Sequence, residues 1–189
     1  QTGFRSNVTF FNKPIASEAP RIPRILSQTG YNTAFTGKWH NDHRPLDHGF
    51  QRMRHVFLGG MNGHDSIPVV EGREAKRKVI PHPPAEVFTD GALEMLSDLR
   101  KDSKPYALFV WYTAPHDPRT PPPPYDRMYE PGEMRLPENF MPQPPFDPLT
   151  LDIRDEKLQP RPLDPEVMKR ETAAYYGLIS HMDNQIGRL

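Results

Sequence analysis

Gly30-Tyr31-Asn32-Thr33-Ala34-Phe35-Thr36-Gly37-Lys38-Trp39-His40 is the stretch whose reading decides the fold. Thr33 to Thr36 is a brief β-prone run, bounded by a turn glycine before it and Gly37 after it, and this predicts a short strand feeding a Gly37-Lys38 turn. Lys38 is a compact cation with three donors, suited to an oxyanion. His40, two residues on, projects to the same side wherever the backbone is extended. Its reference pKa of about 6.5 suits proton transfer near neutrality. A second such place is Tyr106-Ala107-Leu108-Phe109-Val110-Trp111-Tyr112, which runs into Thr113-Ala114-Pro115-His116-Asp117-Pro118. The apolar run fits a strand covered on both faces, as in a parallel sheet between helix layers. His116 follows it in a loop that Pro115 and Pro118 restrict. In open α/β sheets ligands bind beyond the carboxyl ends of the strands, so Lys38, His40 and His116 are expected at one edge, in one site.

The other elements are consistent with α/β order. Ser17 is expected to cap a short helix that carries Ile22, Ile25 and Leu26 on one stripe and ends at Gly30. Residues 41–67 read as loop-rich, broken by Gly49-Phe50 and Gly59-Gly60-Met61-Asn62-Gly63. Val69-Val70 and Lys78-Val79-Ile80 flank Glu71-Gly72 as a small hairpin. Pro84 to Arg100 is the clearest interior helix, with Val87, Phe88, Ala92, Leu93, Leu96 and Leu99 near helical spacing. Asp164 caps a final helix with Pro165 at its first position, and Val167, Ala174, Leu178, Met182, Ile186 and Leu189 fall largely on one face.

Composition narrows the function classes. The 189 residues suit one domain. With only 35% hydrophobic residues, 24 prolines and a mean hydropathy of −0.75, the core must come from a few strongly apolar segments. The 24 basic and 24 acidic residues cancel, and the basic ones are dispersed, which argues against a nucleic-acid surface. No apolar run approaches the ~20 residues of a membrane span. The absence of cysteine excludes disulfides and thiolate chemistry. Asn7-Val8-Thr9 fits a glycosylation sequon, beside the apolar patch Val8 to Phe11. Most of the prolines fall in residues 118–165, including Pro121-Pro122-Pro123-Pro124, read either as a loop wrapping the fold or as a polyproline linker or ligand.

Three segments carry a family resemblance. Gly37-Lys38-Trp39-His40 resembles the GKWH segment of the type I sulfatases, and Ala114-Pro115-His116-Asp117-Pro118 their APHxP loop. Tyr175 to Leu189 resembles the helix that usually comes next. Thr36 stands where a small aliphatic residue or Ser is commoner. The resemblance implies a three-layer α/β/α sandwich of alkaline-phosphatase type, present only in part, with residues 1–189 as its central part and a wrapping Pro-rich loop at about 118–165. It implies sulfate ester hydrolysis by a formylglycine hydrate, with a bound calcium neutralising charge. Lys38 would bridge the nucleophile's oxygen and the sulfate, His40 would take the hydrate proton, and His116 would contact sulfate and support leaving-group protonation. The C/S-x-P-x-R nucleophile motif and the family's metal ligands are not found in this sequence, and Gln1 to Arg5 resembles the residues just after that motif. The chain is therefore expected to be inactive alone. His64 and Asp65 fall where relatives place substrate-facing loops. Expected partners are small-molecule or carbohydrate sulfate esters, and a periplasmic or extracellular home is usual in the family.

Other readings stand beside this one. Taken singly, Lys38 reads sooner as a surface lysine than as a catalytic one, His40 as a packed polar residue beside Trp39, and His116 as a turn residue. Similar clamps serve phosphate and phosphonate ester hydrolases of the same superfamily. A non-catalytic binding protein derived from a sulfatase is a further class, and a Pro-rich interaction module another. His40, Asp42, His43, Asp47 and His48 could be grouped as a zinc cluster, against which Pro45 and the loop context weigh. His181 and Asp183 suit solvated or interhelical roles.

Overall fold

The quoted segment folds as a strand longer than its β-prone core. In the computed structural model, which describes residues 13–146 and 159–189, strand β1 runs Asn32–Trp39. The readings placed on residues 1–12 (the Val8 to Phe11 patch, the Asn7 sequon, the Gln1 to Arg5 resemblance) lie outside the described residues, as does the 147–158 part of the Pro-rich stretch. Gly37 and Lys38 belong to the strand and not to a turn, because Gly37 pairs with Val56 on one side and Trp111 on the other. At Gly37 φ is +114°, and a Cβ there would collide with the Trp111 carbonyl oxygen. Only a residue without a side chain lets the two backbones meet this closely.

Residues 41–67 hold more structure than their composition suggests. A 3₁₀ turn at Pro45–His48 precedes strand β2, Arg52–Leu58. The pairing of β1 with β2 slips between Thr36 and Gly37, so that Thr36 faces Arg54 and Gly37 faces Val56. His55 is the extra residue, with φ +46°. This bulge puts Arg54 and His55 on the same face, where Arg54 pairs with Glu94 and His55 Nδ1 donates to the Val87 carbonyl at 3.0 Å. The doubled step breaks the period-2 pattern by which a strand is recognised.

β3 (Ile67–Glu71) and β4 (Lys76–Ile80) form the hairpin, antiparallel around Gly72. Helix α2 spans Pro84–Leu99 and strand β5 spans Tyr106–Trp111. The sheet order is β4-β3-β2-β1-β5, with β1 parallel to both β2 and β5. β5 is less covered than its apolar run suggests: Ala107 to Val110 are half-buried and Trp111 is 42% exposed. Among the described residues it is the last strand of the sheet, with β1 its one neighbour.

The alternation of β1 and β5 separates two layers. Phe35, Trp39 and Trp111 face one way, Trp39 and Trp111 stacked at 5.5 Å, with Phe50 and Met53 beside them. Helix α1 (Ile22–Gln28) lies on this face, where Ile22, Pro23, Trp39 and Trp111 line a cavity of 220 Å³. α1 begins at Ile22 rather than at Ser17, whose hydroxyl bonds Glu18 instead. A start at Ser17 would place Pro23 in the helix interior, where its ring strikes the carbonyl four residues back. The opposite face carries Ala34 and Thr36, against Phe88, Met95 and Leu99 of α2. Helix α3 (Pro165–Gly187), capped by Asp164 Oδ1 accepting from the Glu166 and Val167 amides, packs outside α2. Helices on both faces of a mostly parallel sheet make part of a three-layer α/β/α sandwich.

The described part of the Pro-rich stretch lies along α3. Tyr129 and Ser180 share a hydrogen bond of 2.8 Å, Arg119 pairs with Glu171 at 2.9 Å, and the Gln159 amide donates to Glu171 at 3.0 Å. No helix of the described residues is long and apolar enough to cross a membrane.

Gly37→Ala is expected to destabilise the protein by about 2 kcal/mol or more, from strain in φ and the lost strand contact. A denaturant titration checks this; an unchanged midpoint would show that β1 and β5 need no bare Cα at that pair.

Candidate active site at the carboxyl ends of the parallel strands

β1, β2 and β5 are parallel neighbours, so their carboxyl ends emerge at one edge of the sheet. Three loops leave there: residues 40–48 after β1, 59–66 after β2 and 112–120 after β5. Lys38 is on the last turn of the pleat before that edge, opposite Phe57 and half-buried. By strand alternation it follows Ala34 and Thr36 on the α2 face. His40 is exposed just past the strand, its ring against Gly60 of the second loop. His116 is half-buried in the third loop, its amide donating to the Thr113 carbonyl at 3.0 Å.

The hydrogen bonds fix how His116 presents itself. Its Nδ1 lies 3.0 Å from the Asp117 carbonyl oxygen. A carbonyl can only accept, so Nδ1 carries the proton and Nε2 is left as the nitrogen that gains or loses one. That is the arrangement a proton-transfer histidine needs. Asp117 is held by Arg119 at 2.8 Å, which also pairs with Glu171 of α3. Thr113 is buried at the mouth of the same loop, its hydroxyl without a hydrogen-bond partner among the described residues.

His64 and Asp65 part company. Asp65 is exposed on the second loop. His64 is only 4% exposed, and its Nε2 lies 3.1 Å from the His116 carbonyl oxygen. Burial holds its pKa below the ordinary histidine value, with the nearby His116 ring acting the same way, against the hydrogen bond to the His116 carbonyl and the charge of Asp65. Behind this pair, sequence reasoning left one arrangement unspecified. His181 of α3 is buried, with Nε2 3.4 Å from Glu86 Oε1 of α2 and its ring 5.1 Å from Tyr125. Its pKa is also lowered, by burial first, with Glu86 opposing. The spacing Leu178, His181, Gln185 on the buried face of α3 is the signal that finds it.

The residues grouped as a zinc cluster arrange otherwise. His48 Nε2 donates to the Asp42 carbonyl at 2.9 Å, Trp39 Nε1 donates to the same oxygen at 3.2 Å, and His43 is exposed. Among the described residues no three His, Cys, Asp or Glu side chains converge as metal ligands.

Burial holds the pKa values of His64 and His181 below the unfolded value near 6.5. The unfolded chain therefore binds more protons as the pH falls below about 6.5, and stability, complete above that pH, declines on acidification. Melting temperature is expected to fall between pH 6.5 and 5, and His181→Gln to flatten that slope. An identical slope in the variant would remove His181 from the account.

Known proteins resemble this chain along its length. The sulfatase family model matches residues 1–189. An arylsulfatase of Klebsiella aerogenes is 29% identical over 196 residues, covering 87% of this chain and 41% of its own length. A Bacteroides thetaiotaomicron protein of multiple-glycosaminoglycan metabolism superposes with a TM-score of 0.71 at 16% identity, over 99% of this chain and 42% of that one. A phosphonate monoester hydrolase of Silicibacter pomeroyi superposes with a TM-score of 0.63 at 16% identity, over 100% of this chain and 46% of that one. The chain thus spans about two fifths of the length of the arylsulfatase and of the Bacteroides thetaiotaomicron protein. By the match along its whole length, the chain belongs to the sulfatase family.

Proposed function

We propose that the chain forms the central part of a sulfatase catalytic domain that hydrolyses sulfate esters, with Lys38, His40 and His116 on the reacting group. The observation that carries this reading is the adjacency of β1 and β5, whose carboxyl ends deliver Lys38-Trp39-His40 and the His116 loop to one edge. A sulfate ester places charge on its non-bridging oxygens and, in the transition state, on the leaving oxygen. Lys38 supplies positive charge to the first. His116 Nε2, protonated, donates to the second, while Nδ1 stays on the Asp117 carbonyl. His40, at the exposed end of β1, accepts a proton from the attacking group. Such acid–base steps contribute about 10²–10⁴ in rate.

The family's formylglycine and calcium are part of this proposal. They would supply the nucleophile and charge neutralisation from residues other than the three named, so no step is assigned to them. The substrate class proposed is a carbohydrate or small-molecule sulfate ester, supported by the similarity to a protein of glycosaminoglycan metabolism. Asp65, exposed on the loop beside His40, is proposed as a specificity contact. A periplasmic or extracellular location belongs to the same proposal.

In the full-length enzyme carrying this chain, Lys38→Ala and His116→Ala are each expected to lower kcat on 4-nitrophenyl sulfate about 100-fold or more with an unchanged circular dichroism spectrum. Near-parental rates in both would sink the assignment. A parent that turns over a phosphonate monoester in preference to the sulfate would move the substrate to phosphorus. Binding of sulfate esters with no turnover would make it a binding protein.

A further inference from the structure

We propose that the loop between β2 and β3, residues 59–66, is the positioning element of the site, with Gly60 seating the His40 ring and His64 holding the His116 backbone. The inference rests on the sulfate-ester reading and deepens it.

β2 and β5 flank β1 in the sheet. A loop that leaves β2 and bonds the segment following β5 must cross over the end of β1, where Lys38 and His40 emerge. Two contacts mark that crossing. A Cβ at Gly60 would lie 2.8 Å from His40 Cε1 and 3.1 Å from its Nε2, closer than a side-chain carbon normally approaches. The imidazole therefore lies against a bare Cα, in space that a side chain at position 60 would take. Four residues on, His64 Nε2 donates to the His116 carbonyl at 3.1 Å. A carbonyl accepts only, so this bond requires the proton on Nε2 of His64.

The peptide carbonyls of His116 and Asp117 are thus both taken up by imidazole N–H groups, the first by His64 and the second by His116 itself. The two bonds fix the loop and then the ring relative to the loop. His64 is suited to this task and not to contact with substrate, because it is 4% exposed. Burial keeps it a neutral donor, and His181 behind it carries a lowered pKa to which His64 contributes. Ser66 and Gly63 brace the same loop, their carbonyls accepting from the Asn62 side-chain amide. Small displacements of aligned groups cost rate more than binding, so the loop acts on kcat.

The test uses the full-length enzyme, 4-nitrophenyl sulfate and ¹H–¹⁵N spectra of the histidine rings. His64→Phe keeps ring bulk and removes the donor; His64→Gln retains an N–H near the same reach; Gly60→Ala adds one methyl group under His40. His64→Phe and Gly60→Ala are expected to lower kcat about 10- to 100-fold with KM within about threefold, and His64→Gln to recover most of the loss. In the ring spectra, the His116 Nδ1–H signal should be lost in His64→Phe and kept in His64→Gln. Parental kcat in His64→Phe, a loss confined to KM, or equal damage in the Gln variant would overturn the proposal. If the parent enzyme does not hydrolyse the sulfate, the sulfate-ester reading fails by itself. The positioning claim then stands or falls on the ring spectra, and an unchanged His116 signal in His64→Phe would overturn it. Should His64→Phe fail to fold, Gly60→Ala and His64→Gln still decide by the same kcat and KM criteria.

Discussion

The contact on which the structure depends is the approach of two backbones at Gly37 and Trp111, the last pair of the β1–β5 ladder. Parallel strands cannot be joined by a tight turn, so their neighbouring ends come from distant parts of the chain. Here that means segments separated by the whole of β2, β3, β4 and α2. Gly37 makes the pairing possible because it has no side chain to strike the Trp111 carbonyl and accepts a φ of +114°. One residue later stands Lys38. The residue that permits the close strand pair is thus the immediate neighbour of the cation, so the path of the backbone at Gly37 also sets where Lys38 starts.

Around that pair the sheet is tied down by polar groups as well as apolar ones. The bulge at His55 sends two successive β2 residues toward α2, and each finds a partner there. His55 Nε2 also lies 2.8 Å from Glu71, which Lys78 approaches at 2.8 Å from β4. Burial pushes the Glu71 carboxyl up, yet the Lys78 hydrogen bond and the charges of His55, Lys78 and Arg54 outweigh it and hold the pKa below the usual carboxylate range. A buried polar group costs free energy unless it is paired, so this chain of contacts fastens the hairpin and α2 to β2 with a defined register. Gly91 of α2 supports the same packing: a Cβ there would meet His55 Nδ1 at 2.9 Å.

Much of this was legible in the sequence. α2, α3 with its Asp164 cap and the β3–β4 hairpin stand close to where local patterns put them, because each is decided by neighbours in sequence: cap, period, turn. β5 was legible as an apolar run, though not its partial exposure, which depends on its place in the sheet. β2 was hidden because its bulge puts Met53 and Val56 on one face and Arg54, His55 and Phe57 on the other, a pattern with no single period. Lys38, His40 and His116 could be named from two short motifs. The seating of His40 on Gly60 and of the His116 carbonyl on His64 could not, since both contacts join loops brought together only by the strand order. A histidine in a glycine-rich loop reads as exposed until the fold covers it.

The burial of His64 changes what the glycine-rich loop is for. A loop of Gly59-Gly60-Met61-Asn62-Gly63 beside a histidine suggests mobility and direct contact with a ligand, yet Asn62 turns its amide to the loop's own carbonyls and His64 gives its proton to a neighbouring loop. The glycines serve proximity: at Gly60 the backbone itself is the surface on which an imidazole rests. Such a surface has no rotamers to order and no side chain to displace when an anion enters. Preorganised groups need no rearrangement as charge develops, which is where electrostatic stabilisation of a transition state gains its size. The same logic explains the buried, neutral state of His64. A charged imidazole there would repel the protonated His116 that the leaving group requires, whereas a neutral donor fixes the loop and leaves the positive charge to Lys38 and His116.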